Sequence, residues 1–466
     1  MSTATVSTAT MTAATPLTEE AISARIERLP IGSWYRRMML IVGMAGFFDA
    51  FDALTIAFVL PVLIGMWHIS PAQIGALISI GYVGQLIGAI GFSWVAEKYG
   101  RQRVLRWTIA IIGLLSIACA FAWSYDSLFW FRFVQGLGLG AEVPIAATYM
   151  NELTKAEYRG RLVVLFQSVF AFGVMMTALV SIWVVPHLGW QWMFIIGACP
   201  ALLALWLRRL IPESPRWLAA QGRLDEADRT LSGIETEVAK HNALPAIPTH
   251  FPKINKAKVH WRDLFAGIYL KRTLTAWAMA FATSIVGYGL LAWLPTIYRT
   301  VYHLPVGQTL QYSFISYFVG LFGALFGALL IDRFGRRLCY TVSFVGAAAP
   351  LLLLAWTAHG VSVPPVETVV TLTSIALFFI SILLASIFVY LPEIYPTRMR
   401  ALGSGTASSW LRVGSIIGPI IVGAILGQAG FGGVFVFFGA MAVVGALVVI
   451  LFAIETNGKV LEEIAQ

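Results

Sequence analysis

Apolar residues gather into blocks of about 20, the length an α-helix rising 1.5 Å per residue needs to cross a hydrocarbon core of roughly 30 Å. The blocks fall near residues 38–65, 72–95, 104–123, 127–150, 161–185 and 190–210, and again near 271–298, 309–331, 338–357, 366–391, 401–427 and 431–454. The pattern is six helices, a break and six helices. Between the series the chain turns charged, and stretches such as RLDEADRTLSGIETEVAK are amphipathic with a helical period, which suits helices lying at a membrane surface. Residues 1–18 are almost wholly Ser, Thr, Ala and Met, without the basic-then-apolar order of a signal peptide. The expected organisation is a disordered tail (1–18), a six-helix bundle (19–210), a cytoplasmic linker with short surface helices (211–270), a second six-helix bundle (271–455) and a cytoplasmic tail (456–466).

Composition excludes a soluble enzyme: 58% of the 466 residues are apolar and 12% charged, against about a quarter charged in soluble proteins. The net charge of +9 does not point to nucleic acid, because the basic residues follow topology. With both termini cytoplasmic, 29 of the 32 Lys and Arg fall on the cytoplasmic side, as the positive-inside rule requires. Arg299 falls outside, and Arg132 and Arg412 lie within apolar blocks. Cys119, Cys199 and Cys339 have no ligand spacing, so neither a metal nor a cofactor is expected.

The charged turns repeat. AEKYGRQR (96–103) is answered by IDRFGRR (331–337), and NELTKAEYRGR (151–161) by PEIYPTRMR (392–400). Two homologous halves are the architecture of transporters with a midplane site between bundles. Topology explains the Arg residues of these turns but not the acids among them. Glu97, Arg101, Glu152, Arg159, Arg161, Asp332, Arg333, Arg336, Glu393, Arg398 and Arg400 are therefore expected to pair as a cytoplasmic gate. The GLGLG run (136–140) lies inside a membrane block, follows no strand and lacks a Lys-Ser/Thr ending, so it reads as close helix packing rather than a phosphate loop.

Ionisable groups inside a membrane are costly and mark function. Asp49 and Asp52 sit about 18 and 22 Å past Arg37 along the first helix. Three apart, they share a face, and two carboxylates in a low dielectric do not both ionise cheaply, so one is expected to carry a proton. Glu142 lies about 15 Å along the fourth helix from Arg132; it is either a second proton site or a structural hydrogen-bonding group. Arg412 lies about 18 Å past Arg400, beyond reach of lipid phosphate, and needs an anion. Asp49, Asp52 and Glu142 are all in the other half, so a substrate carboxylate, held through two parallel hydrogen bonds, meets that need best. Tyr288, Trp293, Tyr390 and Trp410 are candidate stacking partners for a flat ring.

These motifs resemble the major facilitator superfamily over residues 35–464. PESPRWL (212–218), RFVQGLGLG (132–140) and ETNGKVLEEI (455–464) resemble its branch of sugar porters and organic ion transporters. FFDAFDALTIAFVLPVL (47–63), GLGLGAEVPIAATYMNE (136–152), GYGLLAWLPTIY (287–298) and LRVGSIIGP (411–419) look like bacterial niacin transporters and aromatic-acid:proton symporters. The resemblance implies an all-α membrane protein with twelve transmembrane helices in two six-helix bundles, monomeric, in a bacterial inner membrane. It implies that Arg132 pairs with the first-helix acid at Asp52, that Gln167 lines a polar cavity, and that Arg412 meets an anionic substrate. The expected function is uptake of a small aromatic or heteroaromatic carboxylate, nicotinate-like, with protons. The rivals are a sugar porter, disfavoured by a seventh helix without Gln or Asn, and a nutrient sensor, disfavoured by the short segment after helix 12.

Overall fold

In the computed structural model of the protein, the described residues are 17–30, 32–154, 159–199, 202, 211–247, 260–358, 363–396 and 399–457; side chains are not described over 159–168, nor at Ala328, Asp332 and Ala401. The first half holds a short helix α1 (Glu19–Glu27), the long helices α2 (Ser33–Trp67), α3 (Pro71–Tyr99), α4 (Arg101–Ala120), α5 (Tyr125–Leu153) and α6 (Arg159–Leu188), and α7 (Gln191–Gly197), which opens the sixth apolar block. The linker contributes α8 (Pro215–Ala220), α9 (Leu224–Ala239) and a 3-10 turn at Trp261–Phe265. The second half holds α10 (Ile268–Val301), α11 (Val306–Phe334), α12 (Arg336–Thr357), α13 (Val366–Glu393), α14 (Arg400–Gln428) and α15 (Gly430–Phe452).

Among the described residues, ten helices are long and apolar enough to cross a membrane. Helix α5 is as long as these, 29 residues, but is interrupted by glycines and by buried Arg132, Gln135 and Glu142. Its polarity is spent inward. Of the sixth block, 190–210, residues 200, 201 and 203–210 lie outside the described residues, as does the expected tail up to residue 16.

The packing repeats between the halves. Helix α3 lies on α5 and α2 on α6 in the first half, as α11 lies on α13 and α10 on α14 in the second; α4 and α5 correspond to α12 and α13. The turns repeat too. Gly100 (φ 103°) and Gly335 (φ 84°) join α3 to α4 and α11 to α12 in a conformation that a side chain resists. Behind each glycine stands a carboxylate. Glu213 Oε1 accepts the N–H of Arg101 (2.9 Å) and of Gln102 (3.1 Å), while Glu455 accepts those of Arg336 (2.9 Å) and Arg337 (3.0 Å). Each acid satisfies orphan donors at a helix start, where negative charge is favoured. Burial pushes the Glu455 carboxyl up, but the backbone N–H groups of Asn457, Arg336, Arg337 and Thr456 outweigh it and hold it below the ordinary range.

The halves meet through α3 against α14, α6 against α11 and α2 against α10. Ser79 donates to the Ile416 carbonyl (2.7 Å), and the ideal Cβ positions of Gly75 and Gly423 fall 2.4 and 2.5 Å from the carbonyl oxygens of Pro419 and Pro71. These contacts lie toward the end away from the linker. At the linker end, α1 is clamped onto the linker helices. Ile22, Ile26 and Leu29 are buried with Ala227, Leu231, Ile234 and Val238, and Glu235 accepts from Arg25 (2.7 Å) and Arg28 (2.7 Å). Asp228 also receives Arg25, and Arg216 reaches Glu27 (2.8 Å). The linker is in turn held to the first half by Tyr149 donating to the Pro212 carbonyl (2.7 Å) and Trp217 to that of Glu97 (2.8 Å).

Burial raises the Glu235 carboxyl, but the hydrogen bonds and charges of Arg25 and Arg28 prevail and hold it below the ordinary carboxylate value. A depressed acid stabilises its contact above the ordinary Glu value of about 4.3 and loses that contribution as pH falls through its lower, folded value. Glu235→Gln should therefore loosen α1 at neutral pH. With about 1 kcal/mol per partly exposed pair, tryptic cleavage at Arg25 and Arg28 should accelerate about fivefold or more. Unchanged cleavage would mean that the apolar face alone holds α1.

Candidate functional site

Helices α2, α4 and α5 converge on a chain of polar side chains sealed inside the first half. Asp52 is fully buried, and both its carboxylate oxygens accept from Ser116 Oγ (3.1 and 3.2 Å). Gln135 Nε2 lies 2.5 Å from the same hydroxyl, and Gln135 Oε1 accepts from Arg132 Nη1 (2.7 Å). Arg132 also donates to the backbone carbonyls of Asp52 (3.1 Å) and Ala53 (3.4 Å). The direct Arg132–Asp52 ion pair implied by the resemblance is thus absent among the described residues. The guanidinium is turned onto the α2 backbone and Gln135, and it reaches the carboxylate through Gln135 and Ser116. The arrangement is close: a Cβ on Gly197 would sit 2.2 Å from Asp52 Oδ1.

Three residues earlier on α2, Asp49 faces differently. It is 7% exposed, makes no hydrogen bond among the described residues, and interacts electrostatically with Arg412 of the other half. Arg412 projects from α14 toward α3 and α5, where Nη1 is 3.4 Å from Gln85 Oε1 and 3.5 Å from the Gln85 carbonyl, and Nη2 is 3.3 Å from the Gly140 carbonyl. Every one of these partners is a neutral oxygen at the long end of hydrogen-bond distance. Close helix approach puts the two carbonyls there: a Cβ on Gly140 would lie 1.9 Å from the Gln85 oxygen. Glu142, two residues beyond Gly140 on α5, is 3% exposed, its Oε1 has no hydrogen-bond partner among the described residues, and it lies within electrostatic reach of Asp49 and Asp52. Tyr82 of α3 and Tyr288 of α10 meet across the halves, ring centroids 5.9 Å apart. Beside Tyr288 lies a cavity of about 60 Å³.

The sequence matches the sugar (and other) transporter family over residues 3–466. The chain belongs to this family, within the major facilitator superfamily. It is 35% identical to the niacin transporter NiaP of Acinetobacter baylyi over 444 residues, 95% of this chain and 99% of that protein. It is 28% identical to the 4-hydroxybenzoate transporter PcaK of the same organism, covering 87% and 88% of the two chains. Among solved structures, the xylose transporter XylE from E. coli, in a partially occluded inward open conformation, superposes with a TM-score of 0.72 at 19% identity, over 92% of this chain and 100% of that one. The fold is therefore the twelve-helix major facilitator fold, and the family is one of transporters.

The remaining candidates fall in three places. Trp410 is surrounded within the second half by Trp277 (5.4 Å) and Phe281 (5.9 Å). Trp293 is fully buried, and its Nε1 has no hydrogen-bond partner among the described residues. Tyr390 is not at the interface of the halves: its hydroxyl donates to the Ile454 carbonyl (3.2 Å) and its ring meets Tyr340 (5.4 Å), at the linker end. The charged turns form two clusters, each within one half. Arg101 pairs with Glu97 (2.9 Å) and Glu152 (2.9 Å), and Arg336 with Glu393 (2.8 Å). Arg333 lies over Phe334 (5.7 Å), and Arg400 opens α14. Arg398 and the side chains of Gln167, Arg159, Arg161 and Asp332 lie outside the described residues.

Sequence reasoning passed over Gln85, Ser116 and Gln135. The available signal was that each is polar inside an apolar block, where an unpartnered amide or hydroxyl is costly. Gly140→Ala should drive a methyl into the backbone of α3, parting α3 from α5. At about 1–3 kcal/mol for overpacking, the melting temperature of the purified protein should drop, whereas Gly65→Ala, with nothing within 4 Å of its Cβ position, should leave it unchanged or higher. Equal effects of the two substitutions would remove the close approach as an explanation.

Proposed function

We propose that the protein takes up a small aromatic or heteroaromatic carboxylate together with protons, by alternating access of the two halves in a bacterial inner membrane with both termini cytoplasmic. The observation that carries this reading is Arg412, a buried guanidinium inside a membrane helix whose hydrogen bonds among the described residues all go to neutral oxygens, at 3.3–3.5 Å, with Asp49 acting on it only through its charge. A buried guanidinium so placed retains its demand for an anion, and a carboxylate satisfies it with two charge-assisted bonds. Relatives that carry niacin and 4-hydroxybenzoate, both aromatic carboxylates, support the choice. The proton is assigned to the acids of α2 and α5. Asp52, without an ion pair, takes and releases it, and Asp49 couples that event to Arg412 across the interface. Among the described residues the hydrogen bonds joining the halves lie at Arg412 and beyond it, at Ser79, away from the linker. That distribution supports a conformation opening toward the linker side, with the charged turns bracing each half as it moves.

Uptake into proteoliposomes under an imposed pH gradient tests the reading, with nicotinate, benzoate and a hexose compared side by side. Asp52→Asn should abolish accumulation against a gradient while exchange across the membrane persists, since the proton site is lost and the cavity remains. Accumulation at the wild-type level would remove Asp52 from the coupling.

Affinity for the acid should fall in the order Arg412, Lys, Ala, because Lys keeps the charge but not the planar fork. The full loss should be about tenfold to 150-fold, from roughly 1.5–3 kcal/mol for a charge-assisted bond. The uncharged amide of the same substrate should be nearly indifferent. Equal losses for acid and amide would make Arg412 structural and leave the sugar reading of the family as the stronger one.

A further inference from the structure

The cavity beside Tyr288 has walls from both halves: Phe170 and Val174 of α6 on one side, and Tyr288, Leu291, Tyr317 and Ser381 of α10, α11 and α13 on the other. Its lining is apolar except for hydroxyls, and these differ in how they are satisfied. Tyr317 donates to the Leu291 carbonyl (2.5 Å). The hydroxyls of Ser381 and Tyr288 have no hydrogen-bond partner among the described residues. For Ser381 this is an exception on its own helix: Ser374, Thr373 and Ser386 of α13 all donate back to the carbonyl four residues earlier, at 2.5–2.7 Å, which is the usual refuge of a hydroxyl in a membrane helix. Ser381 is turned instead toward α11, where Gly320 makes room; a Cβ there would lie 2.9 Å from Ser381 Oγ.

An apolar slot bearing unused hydroxyls, walled by Tyr288, whose ring meets Tyr82 about one turn from the Gln85 that receives Arg412, has the chemistry of a ring site. We propose that this cavity receives the ring of the substrate whose carboxylate Arg412 binds, and that the Ser381 hydroxyl donates to a heteroatom in that ring, setting a preference for pyridine over benzene carboxylates. The inference rests on the aromatic-carboxylate reading above. At about 60 Å³ the cavity is smaller than the about 150 Å³ that suffices for a six-membered ring. Because α6 belongs to one half and the other walls to the second, the slot widens as the halves move apart.

The test is equilibrium binding of nicotinate and benzoate to the purified full-length protein, in wild type, Ser381→Ala and Gly320→Ala. Loss of one neutral hydrogen bond weakens binding about three- to tenfold. Ser381→Ala should show that loss for nicotinate and leave benzoate within twofold. Gly320→Ala, which keeps the hydroxyl but drives it from its position, should shift the same ratio in the same direction. Equal losses for both acids would make the hydroxyl structural, and no loss for either would empty the slot of the ring; each outcome overturns the assignment while the Arg412 acid-against-amide result stands. If the wild type binds neither acid, the carboxylate reading fails and this inference with it.

Discussion

Burying a permanent positive charge in the middle of a membrane is the constraint to which the rest of this structure answers. Two guanidiniums are placed there, and they are treated in opposite ways. Arg132 is consumed inside the first half, its bonds spent on Gln135 and on the carbonyls of Asp52 and Ala53. Arg412 is set across the interface and given only neutral oxygens of α3 and α5. The first arrangement makes the half a rigid polar unit with Asp52 at its end. The second leaves a cation at the seam, which under the proposed function is where an anion enters and where Asp49 senses it.

Helix packing decides that the seam can exist at all. A membrane offers little hydrophobic drive between helices, so close approach through small residues supplies the dispersion and the dipoles. At Gly140 the backbone of α5 comes so near α3 that carbonyl oxygens, rather than side chains, present themselves to Arg412. Carbonyl dipoles soften the charge without neutralising it. A carboxylate in their place would make a strong fixed salt bridge and tie the halves together.

The two halves repeat in packing and in their capped turns, yet differ in chemistry. Glu213 and Glu455 hold the starts of α4 and α12 in the same way, and Arg101 and Arg336 each clamp an acid of the neighbouring helix. Under the proposed alternating access, these clusters would stiffen each half as a body that tilts. The clamp of α1 and the linker helices onto the first half adds to that body. The interiors differ as well, with acids on the first-half helices and Arg412 on α14.

Much of this was legible in the chain itself. Hydrophobic block length fixed the number of helices, because the bilayer demands it, and the repeated turns revealed the two halves. The intramembrane charges pointed to the candidate site, because burying an ionisable group in a membrane is costly. Direction was less accessible. Asp49 and Asp52, three apart, read as one pair, but the 60° between such positions on a helix lets Asp52 turn into the first half and Asp49 toward the second. Likewise Tyr390 resembles a cavity aromatic until the packing of α12 and α13 seats it beside Ile454. Ser116, Gln135, Gln85 and Ser381 carry no motif of their own; their roles arise from which helices are neighbours and how closely their glycines let them approach. Sequence spacing sets depth along a helix, whereas the partner that a side chain meets at that depth depends on rotation and contact between helices distant in the chain, which only the tertiary structure decided.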